Sequence, residues 1–164
     1  MITDKIYHEW KDALKVVQQW KSAGHRVVFT NGCFDLLHLG HVLYLEEAKA
    51  KGNKLIVAAN SDKSVRQLKG LHRPIKDQKN RTHILAALES VDMVLVFDEN
   101  TPYELIKILI PDVIVKGGDW KPDQIVGADI VLANGGEVCS LQFVEGYSTT
   151  ALEQKIIDAH SNRT

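Results

Sequence analysis

The chain has 164 residues, which suits one domain around one core. Apolar residues make up 45% and charged residues 25%, and a net charge of −1 leaves no basic footprint for DNA or RNA. Two cysteines are too few for a disulfide framework, no apolar run reaches the ~18 residues needed to span a bilayer, and the charged start "MITDKIYHEWKD" does not read as a signal peptide. The expectation is a cytoplasmic protein without a membrane or nucleic-acid partner. Cys33 and Cys139 fit no zinc spacing and read as small buried residues in a reducing compartment.

Residues Lys5 to Ala23 predict an amphipathic helix, with Ile6, Trp10, Leu14, Val17 and Trp20 at helical spacing and Gly24 as a stop. The two tryptophans read as core packing. "HRVVFTN" is a short β-branched and aromatic run, hence a buried strand. Gly40 to Lys51 predicts a helix with Val42, Leu45 and Ala48 inward and Gly52 at its end.

The alternation then repeats. "KLIVAAN" predicts a strand from Lys54 to Asn60, followed by a polar stretch rich in Lys and Arg. Arg81 to Glu89 reads as a helix and Met93 to Phe97 as a strand. Thr101-Pro102-Tyr103-Glu104 carries a capping threonine, a proline at the first helical position and a glutamate three after the cap, so a helix runs to Leu109. A strand follows from Asp112 to Lys116, then the loop "GGDWKP", a helical segment from Asp123 to Ala133 and a strand from Glu137 to Phe143. Ser148-Thr149-Thr150 opens a final helix, with Thr150 and Glu153 at capping-box spacing. Five apolar strands separated by helices predict an α/β fold: a Rossmann-like open five-stranded parallel sheet with helices on both faces. The whole chain forms one domain, residues 1–24 an N-terminal helical segment and residues 26–157 the core.

In such sheets ligands bind outside the carboxyl ends of the strands, near the point where strand order reverses. The unusual residues collect at those ends: "TNGCFDLLHLGH", then Asn60, Ser61 and Asp62, then Lys116 to Trp120, then "EGYSTT". His38 and His41, three apart at a helix start, lie on neighbouring sides of one face about 4.5 Å apart along the axis. A helix N-terminus offers free N–H groups and partial positive charge to a phosphate. Gly40 between the histidines allows close approach, and Asn31-Gly32 gives the strand a polar, permissive exit. The pattern is an anion cradle with two imidazole donors.

"GCFDLLHLGH" resembles the His-x-Gly-His signature of the nucleotidyltransferase superfamily that includes the cytidylyltransferases and phosphopantetheine adenylyltransferase. "EGYSTT" resembles that family's second signature, a Gly-x-Ser-Thr-Thr turn. The stretches "NSDKSVRQLKG", "RPI", "ALESVDMVLVFDENTP", "PDVIVKGGDWKP" and "ANGGEV" are most similar to the branch that adenylylates D-glycero-β-D-manno-heptose 1-phosphate. That branch usually forms the C-terminal half of a bifunctional kinase/adenylyltransferase. The resemblance covers residues 26–157, and the chain resembles a stand-alone version.

The resemblance implies that a sugar 1-phosphate attacks the α-phosphorus of ATP, with Mg²⁺ arriving on the nucleotide, and that the enzyme is a homodimer. The nucleophile is already a phosphate dianion, so positioning and charge stabilisation suffice. His38, His41 and Lys69 are expected on the triphosphate. Thr30, Asn31, Gly32, Cys33, Phe34 and Gly40 are expected to cradle the nucleotide, and Arg81, as in related cytidylyltransferases, to bind phosphate. Ser148, Thr149 and Thr150 cap a helix and bind triphosphate. The base is expected between Lys116, Gly117, Gly118, Asp119, Trp120 and the turn containing Glu145 and Gly146, with Trp120 either stacking or packing. Asp35 either orders a loop or holds metal-bound water. Arg73 either meets the substrate phosphate or orders the loop. Asn60 and Asp62 are candidates for the sugar pocket, and no residue set encloses a metal. Segment 66–76 is expected to be a poorly anchored, mobile phosphate-binding loop.

Cytidylyltransferases typically carry an arginine two residues before the Glu-Gly of the second signature. Here Phe143 and Val144 precede it, which favours ATP over CTP. Three alternatives stand beside this reading: a cytidylyltransferase for glycerol 3-phosphate or a related alcohol phosphate, a nucleotide-sensing module on the same fold, and a hydrolase using Cys33 with a histidine.

Overall fold

The structure is a computed structural model that describes residues 1–142 and 146–161. Six parallel strands form one sheet in the order β1-β4-β3-β2-β5-β6. They are β1 (Ile6–Tyr7), β2 (Val27–Gly32), β3 (Lys54–Asn60), β4 (Met93–Phe97), β5 (Val113–Gly117) and β6 (Glu137–Leu141). Strand β2 lies between β3 and β5, so the chain builds outward one way through β3 and β4 and then the other way through β5 and β6. The reversal sits at the β2/β5 crevice.

Successive side chains of a strand point to opposite faces, and both faces here are covered. Along β3, Ile56 and Ala58 join one apolar cluster while Leu55, Val57 and Ala59 join the other. Ala13 and Val17 of α1 (Trp10–Ser22) and Leu105, Ile106 and Leu109 of α5 (Tyr103–Leu109) cover the first face. Leu45 and Ala48 of α2 (Leu39–Lys49), with Leu85 and Ala86 of α4 (Gln78–Ala87), cover the second. This two-sided burial is why the strands read as continuous apolar runs. The remaining helices are α3 (Asp62–Lys69), α6 (Ala128–Ala133) and α7 (Thr149–Ser161).

The sheet has six strands where five were expected. The sixth comes from the segment read as the start of the first helix. Residues 2–5 form a 3-10 turn, Ile6 and Tyr7 pair with Val94 and Leu95 on the edge of the sheet, and α1 begins only at Trp10. The Lys5 ammonium donates to the carbonyls of Leu88 and Val91 at 3.2 and 2.7 Å, which holds this segment against the β4 side of the molecule. Trp10 and Trp20 are half-buried and pack against the first core cluster, as expected. The Trp10 Nε1–H donates to the Val96 carbonyl at 3.0 Å.

Other boundaries move for local reasons. Helix α3 lies inside the stretch read as polar; its buried residues are Ser64 and Val65, too little apolar surface for a visible periodicity, and the Ser61 hydroxyl caps it from the Ser64 N–H at 3.1 Å. Helix α4 starts before Arg81 because Asp77 accepts from the Asn80 N–H at 2.7 Å. Helix α5 has Pro102 at its cap position, without a side-chain cap from Thr101. Segment 123–133 divides into a 3-10 turn at Pro122–Gln124 and α6, with Gly127 at φ +84° between them. Gly52 closes the α2–β3 turn by close packing: a Cβ there would stand 2.6 Å from the Arg26 carbonyl oxygen. Strand β6 ends at Leu141, and the expected extension to Phe143 lies outside the described residues.

Candidate active site

Two helix N-termini converge on the β2/β5 crevice. His38 is the N-cap of α2, in extended conformation at φ −140°, so the first-turn N–H groups of Leu39 and Gly40 have no carbonyl one turn back. Ser148 precedes α7 and its hydroxyl accepts from the Ala151 N–H at 3.0 Å. The cap is therefore Ser148 rather than Thr150, and Glu153 pairs with Arg73 instead of closing a capping box. Between these ends lies a cavity of about 390 Å³. Asn31, Gly32, Cys33 and Phe34 at the end of β2, His38, Gly40, His41 and Tyr44 on α2, Lys69, and Ser148 and Thr149 line it, together with Asp35, Lys116, Gly117 and Tyr147.

Several devices keep this cavity narrow and open. Phe34 adopts a left-handed conformation at φ +48° and is buried, a strained arrangement for a bulky residue. Its ring passes so close to Gly32 that a Cβ there would meet it at 3.1 Å. A Cβ on Gly40 would stand 3.0 Å from the Tyr147 Cβ and 3.1 Å from the His38 ring, so any larger residue would close the space between the two helix starts. The Tyr44 hydroxyl donates to the Val115 carbonyl at 3.2 Å and accepts from Thr30 at 2.6 Å, tying α2 to β2 and β5 beneath the cavity. Burial pushes its pKa to about 12, so it stays neutral.

The two imidazoles lie with centroids 3.9 Å apart and planes tilted by 32°. The His38 backbone N–H donates to His41 Nδ1 at 3.4 Å, which places the His41 proton on Nε2. Burial, with the neighbouring His38 ring and the Lys69 ammonium, pushes the His41 pKa down to about 4. Burial also lowers that of His38. His38 Nδ1 is buried and without a hydrogen-bond partner among the described residues. Two neutral, desolvated imidazoles at paired helix N-termini form a site short of negative charge.

Asp35 is almost fully buried and all its bonds serve the loop after α3. One carboxylate oxygen accepts from the Ile75 N–H and from Arg73 Nη1, both at 2.9 Å, and the other from the Lys76 N–H at 2.9 Å. Burial works to raise its pKa, but the Lys76 and Ile75 N–H groups and the Arg73 guanidinium outweigh it and hold the carboxyl below its usual range. Of the two roles open for Asp35 and Arg73, the structure shows the loop-ordering one. Segment 66–76 is the last turn of α3 to Lys69 followed by a loop whose far end Asp35 holds at Arg73, Ile75 and Lys76.

A second cavity, of about 430 Å³, adjoins the first. Asn31, Gly32, Cys33 and Lys116 line both, so the crevice divides at the ends of β2 and β5. Asn60 and Trp120 line the second cavity together with Asn100, Thr101 and Gln124. Trp120 is fixed by its Nε1–H, which donates to the Gly117 carbonyl at 3.0 Å.

Several expected site residues lie elsewhere. Arg81 is fully buried; it donates to the carbonyls of Cys33 at 2.6 Å and Lys76 at 3.1 Å and pairs with Asp62 at 2.8 Å. The anion that a cation near the start of α4 needs is the Asp62 carboxylate, and both residues brace the β2 exit from below. Thr30 is buried against Tyr44. Gly118, Asp119, Gly146 and Thr150 do not line either cavity, and Glu145 lies outside the described residues. The two cysteines are half-exposed rather than buried. Tyr44, Tyr147, Asn100 and Gln124 escaped the sequence reading. Asn100 could have been found, since it follows β4 as Asn60 ends β3; Tyr44 lies one helical turn after His41. Among the described residues no cluster of three or more His, Cys, Asp or Glu is placed to ligate a metal, and no helix is long and apolar enough to cross a membrane.

Residues 29–155 match the cytidylyltransferase-like family model. The chain is 54% identical over 145 residues to the bifunctional protein HldE of Azorhizobium caulinodans and 57% identical over 144 residues to that of Hydrogenovibrio crunogenus, covering 88% of this chain in each case. It spans 30% of the length of each of these relatives. A crystal structure of a lipopolysaccharide core biosynthesis protein from Thermoplasma volcanium superposes with a TM-score of 0.59 at 30% identity, over 76% of this chain and 100% of that one.

Proposed function

The chain belongs to the cytidylyltransferase-like family, and from that premise we propose that it is a nucleotidyltransferase that joins ATP to D-glycero-β-D-manno-heptose 1-phosphate. The observation that carries the proposal is the pair of helix N-termini, two imidazoles and Lys69 around one cavity at the β2/β5 crevice. Such a site binds a polyanion by its geometry alone. The sugar comes from the likeness of "NSDKSVRQLKG", "PDVIVKGGDWKP" and "ANGGEV" to the heptose branch.

An oxygen of the sugar phosphate forms a bond to the α-phosphorus while the bond from that phosphorus to the α–β bridging oxygen breaks. Pyrophosphate leaves with the bonding electrons, and no proton must be removed from the nucleophile. His41 Nε2–H and His38 donate to oxygens that gain charge in the transition state, with Lys69 and the first-turn N–H groups of α2 and α7 beside them. Asp35 is committed to the loop, so Mg²⁺ would enter as part of the MgATP substrate, held by its phosphates.

Pyrophosphate release tests this. ATP and CTP are each offered with the heptose 1-phosphate, with glycerol 3-phosphate, and with no acceptor. Release with ATP and the sugar phosphate alone is expected. Equal or faster turnover of CTP with glycerol 3-phosphate would make the protein a cytidylyltransferase. Nucleotide binding without release under any condition would make it a sensor.

A further inference from the structure

We propose that Lys116 is a catalytic residue that grips the acceptor phosphate at the junction of the two cavities, with the sugar lying in the second. This rests on the adenylyl-transfer reading above. In-line displacement needs the entering phosphate and the α-phosphate on either side of one reacting centre. The two cavities of the β2/β5 crevice share one wall, formed by Asn31, Gly32, Cys33 and Lys116. Lys116 is the only charged side chain lining the second cavity among the described residues. An anion entering there meets no other cation among the described lining residues.

The rest of the second cavity has the chemistry of a sugar site. Asn60, Asn100, Thr101 and Gln124 supply amide and hydroxyl groups, and the half-exposed Trp120 indole and Pro102 supply flat apolar surface. The Asn60 amide is already oriented by donation to Ser64 at 3.0 Å. The first cavity differs: its two imidazole donors, Lys69 and two helix starts suit a triphosphate.

Among the described residues Lys116 has no carboxylate partner. Asp35, the carboxylate lining the first cavity, is bonded to Arg73 and two N–H groups. The other titratable groups around Lys116 are Cys33 on both cavities and His38, His41, Tyr44, Lys69 and Tyr147 on the first. Burial lowers the Lys116 pKa, opposed by the Cys33 thiol. A desolvated ammonium without a carboxylate gains most from an incoming dianion.

The test uses the full chain with Lys116→Met, which keeps the side-chain length, and Lys116→Arg, which keeps the charge. Pyrophosphate release is measured against heptose 1-phosphate at saturating MgATP, and the reverse. In Lys116→Met the KM for the sugar phosphate should rise about tenfold or more while that for ATP changes less than about threefold. In Lys116→Arg the acceptor KM should largely recover, and the alkaline fall in rate should move to higher pH, which a purely structural lysine would not cause. Equal effects on both KM values, an unchanged acceptor KM in Lys116→Met, or an alkaline limb identical in Lys116→Arg would overturn the assignment. If the wild type releases no pyrophosphate, the adenylyl-transfer reading fails by itself. Calorimetric titration with heptose 1-phosphate then decides Lys116: binding lost in Lys116→Met supports the grip, and equal binding, or none to the wild type, refutes it.

Discussion

His38 and His41 carry the densest physical argument at the scale of single residues. A contact made mainly in the transition state shows in kcat rather than KM. His38→Ala and His41→Ala should therefore each lower kcat by about 10²–10³ with smaller changes in the KM for ATP; a variant with wild-type kcat would show its histidine to be structural. Acid should also expose the desolvated ring. The folded pKa of His41, about 4, lies below the ordinary 6.5. Between those values the unfolded chain binds more protons, so the neutral imidazole stabilises the fold above pH 6.5 and that contribution is lost as pH falls toward 4. The urea midpoint of the wild type should fall more between pH 7 and pH 4.5 than that of His41→Gln, and parallel falls would contradict the depressed pKa. Cys33 belongs at this scale too. The acceptor phosphate is its own nucleophile, and the Cys33 thiol hydrogen-bonds to Asn60 Oδ1 at 3.8 Å rather than to an imidazole. Cys33→Ser should keep activity within about tenfold, ~1.4 kcal/mol of barrier, and a loss of several orders of magnitude in a folded variant would restore covalent catalysis.

Between elements, the Asp35 clamp joins three pieces of chain: the β2 exit, the loop after α3, and, through Arg73 to Glu153, helix α7. Its buried carboxylate satisfies two backbone donors and a guanidinium. Asp35→Asn would keep the shape but replace a charged acceptor with a neutral one, leaving Arg73 with Glu153 but without its buried carboxylate partner. A loss of about 1–3 kcal/mol is expected, concentrated locally. Hydrogen exchange should quicken at 70–76 and at the start of α7, and the KM for ATP should rise because Ser148 and Thr149 lose their support. Uniform exchange across the molecule with an unchanged KM would mean that the clamp does not position the site. In the wild type, the exposed Leu71 and the solvent-facing Lys69 remain free to respond to ligand beyond this clamp.

For the molecule as a whole, the stability of the crevice depends on close packing away from it. Gly52 lets the α2–β3 turn pass against Arg26 at the far end of β2, where a methyl group would collide with backbone. Gly52→Ala should cost about 1–3 kcal/mol and lower Tm, while kcat at moderate temperature stays near wild type, since the substitution lies at the opposite strand end from the histidines. An unchanged Tm would show that the turn relaxes freely.

The strands, most helices and the His-x-Gly-His cradle were legible in the chain because each depends on neighbours a few residues away: apolar runs, helix starts, and two imidazoles one turn apart. The likeness of two signatures to one family carried the expected reaction further than periodicity could. What lay beyond sequence was every partnership between distant residues. Ile6 follows a helical spacing, yet an open edge on β4 makes Ile6 and Tyr7 a strand. Arg81 has the look of a phosphate ligand until folding puts the Asp62 carboxylate beside it. Asp35 and Arg73 are read one way or another only once the loop closes on them. Lys116 reads in the sequence as a strand-end residue near the base, and only the pairing of β2 with β5 puts it on the wall between two cavities. Local pattern determined the elements because short-range sterics and burial act within one turn or one strand. Tertiary structure decided the charge partners, because Coulomb attraction and desolvation depend on distances through space that the order of residues does not contain.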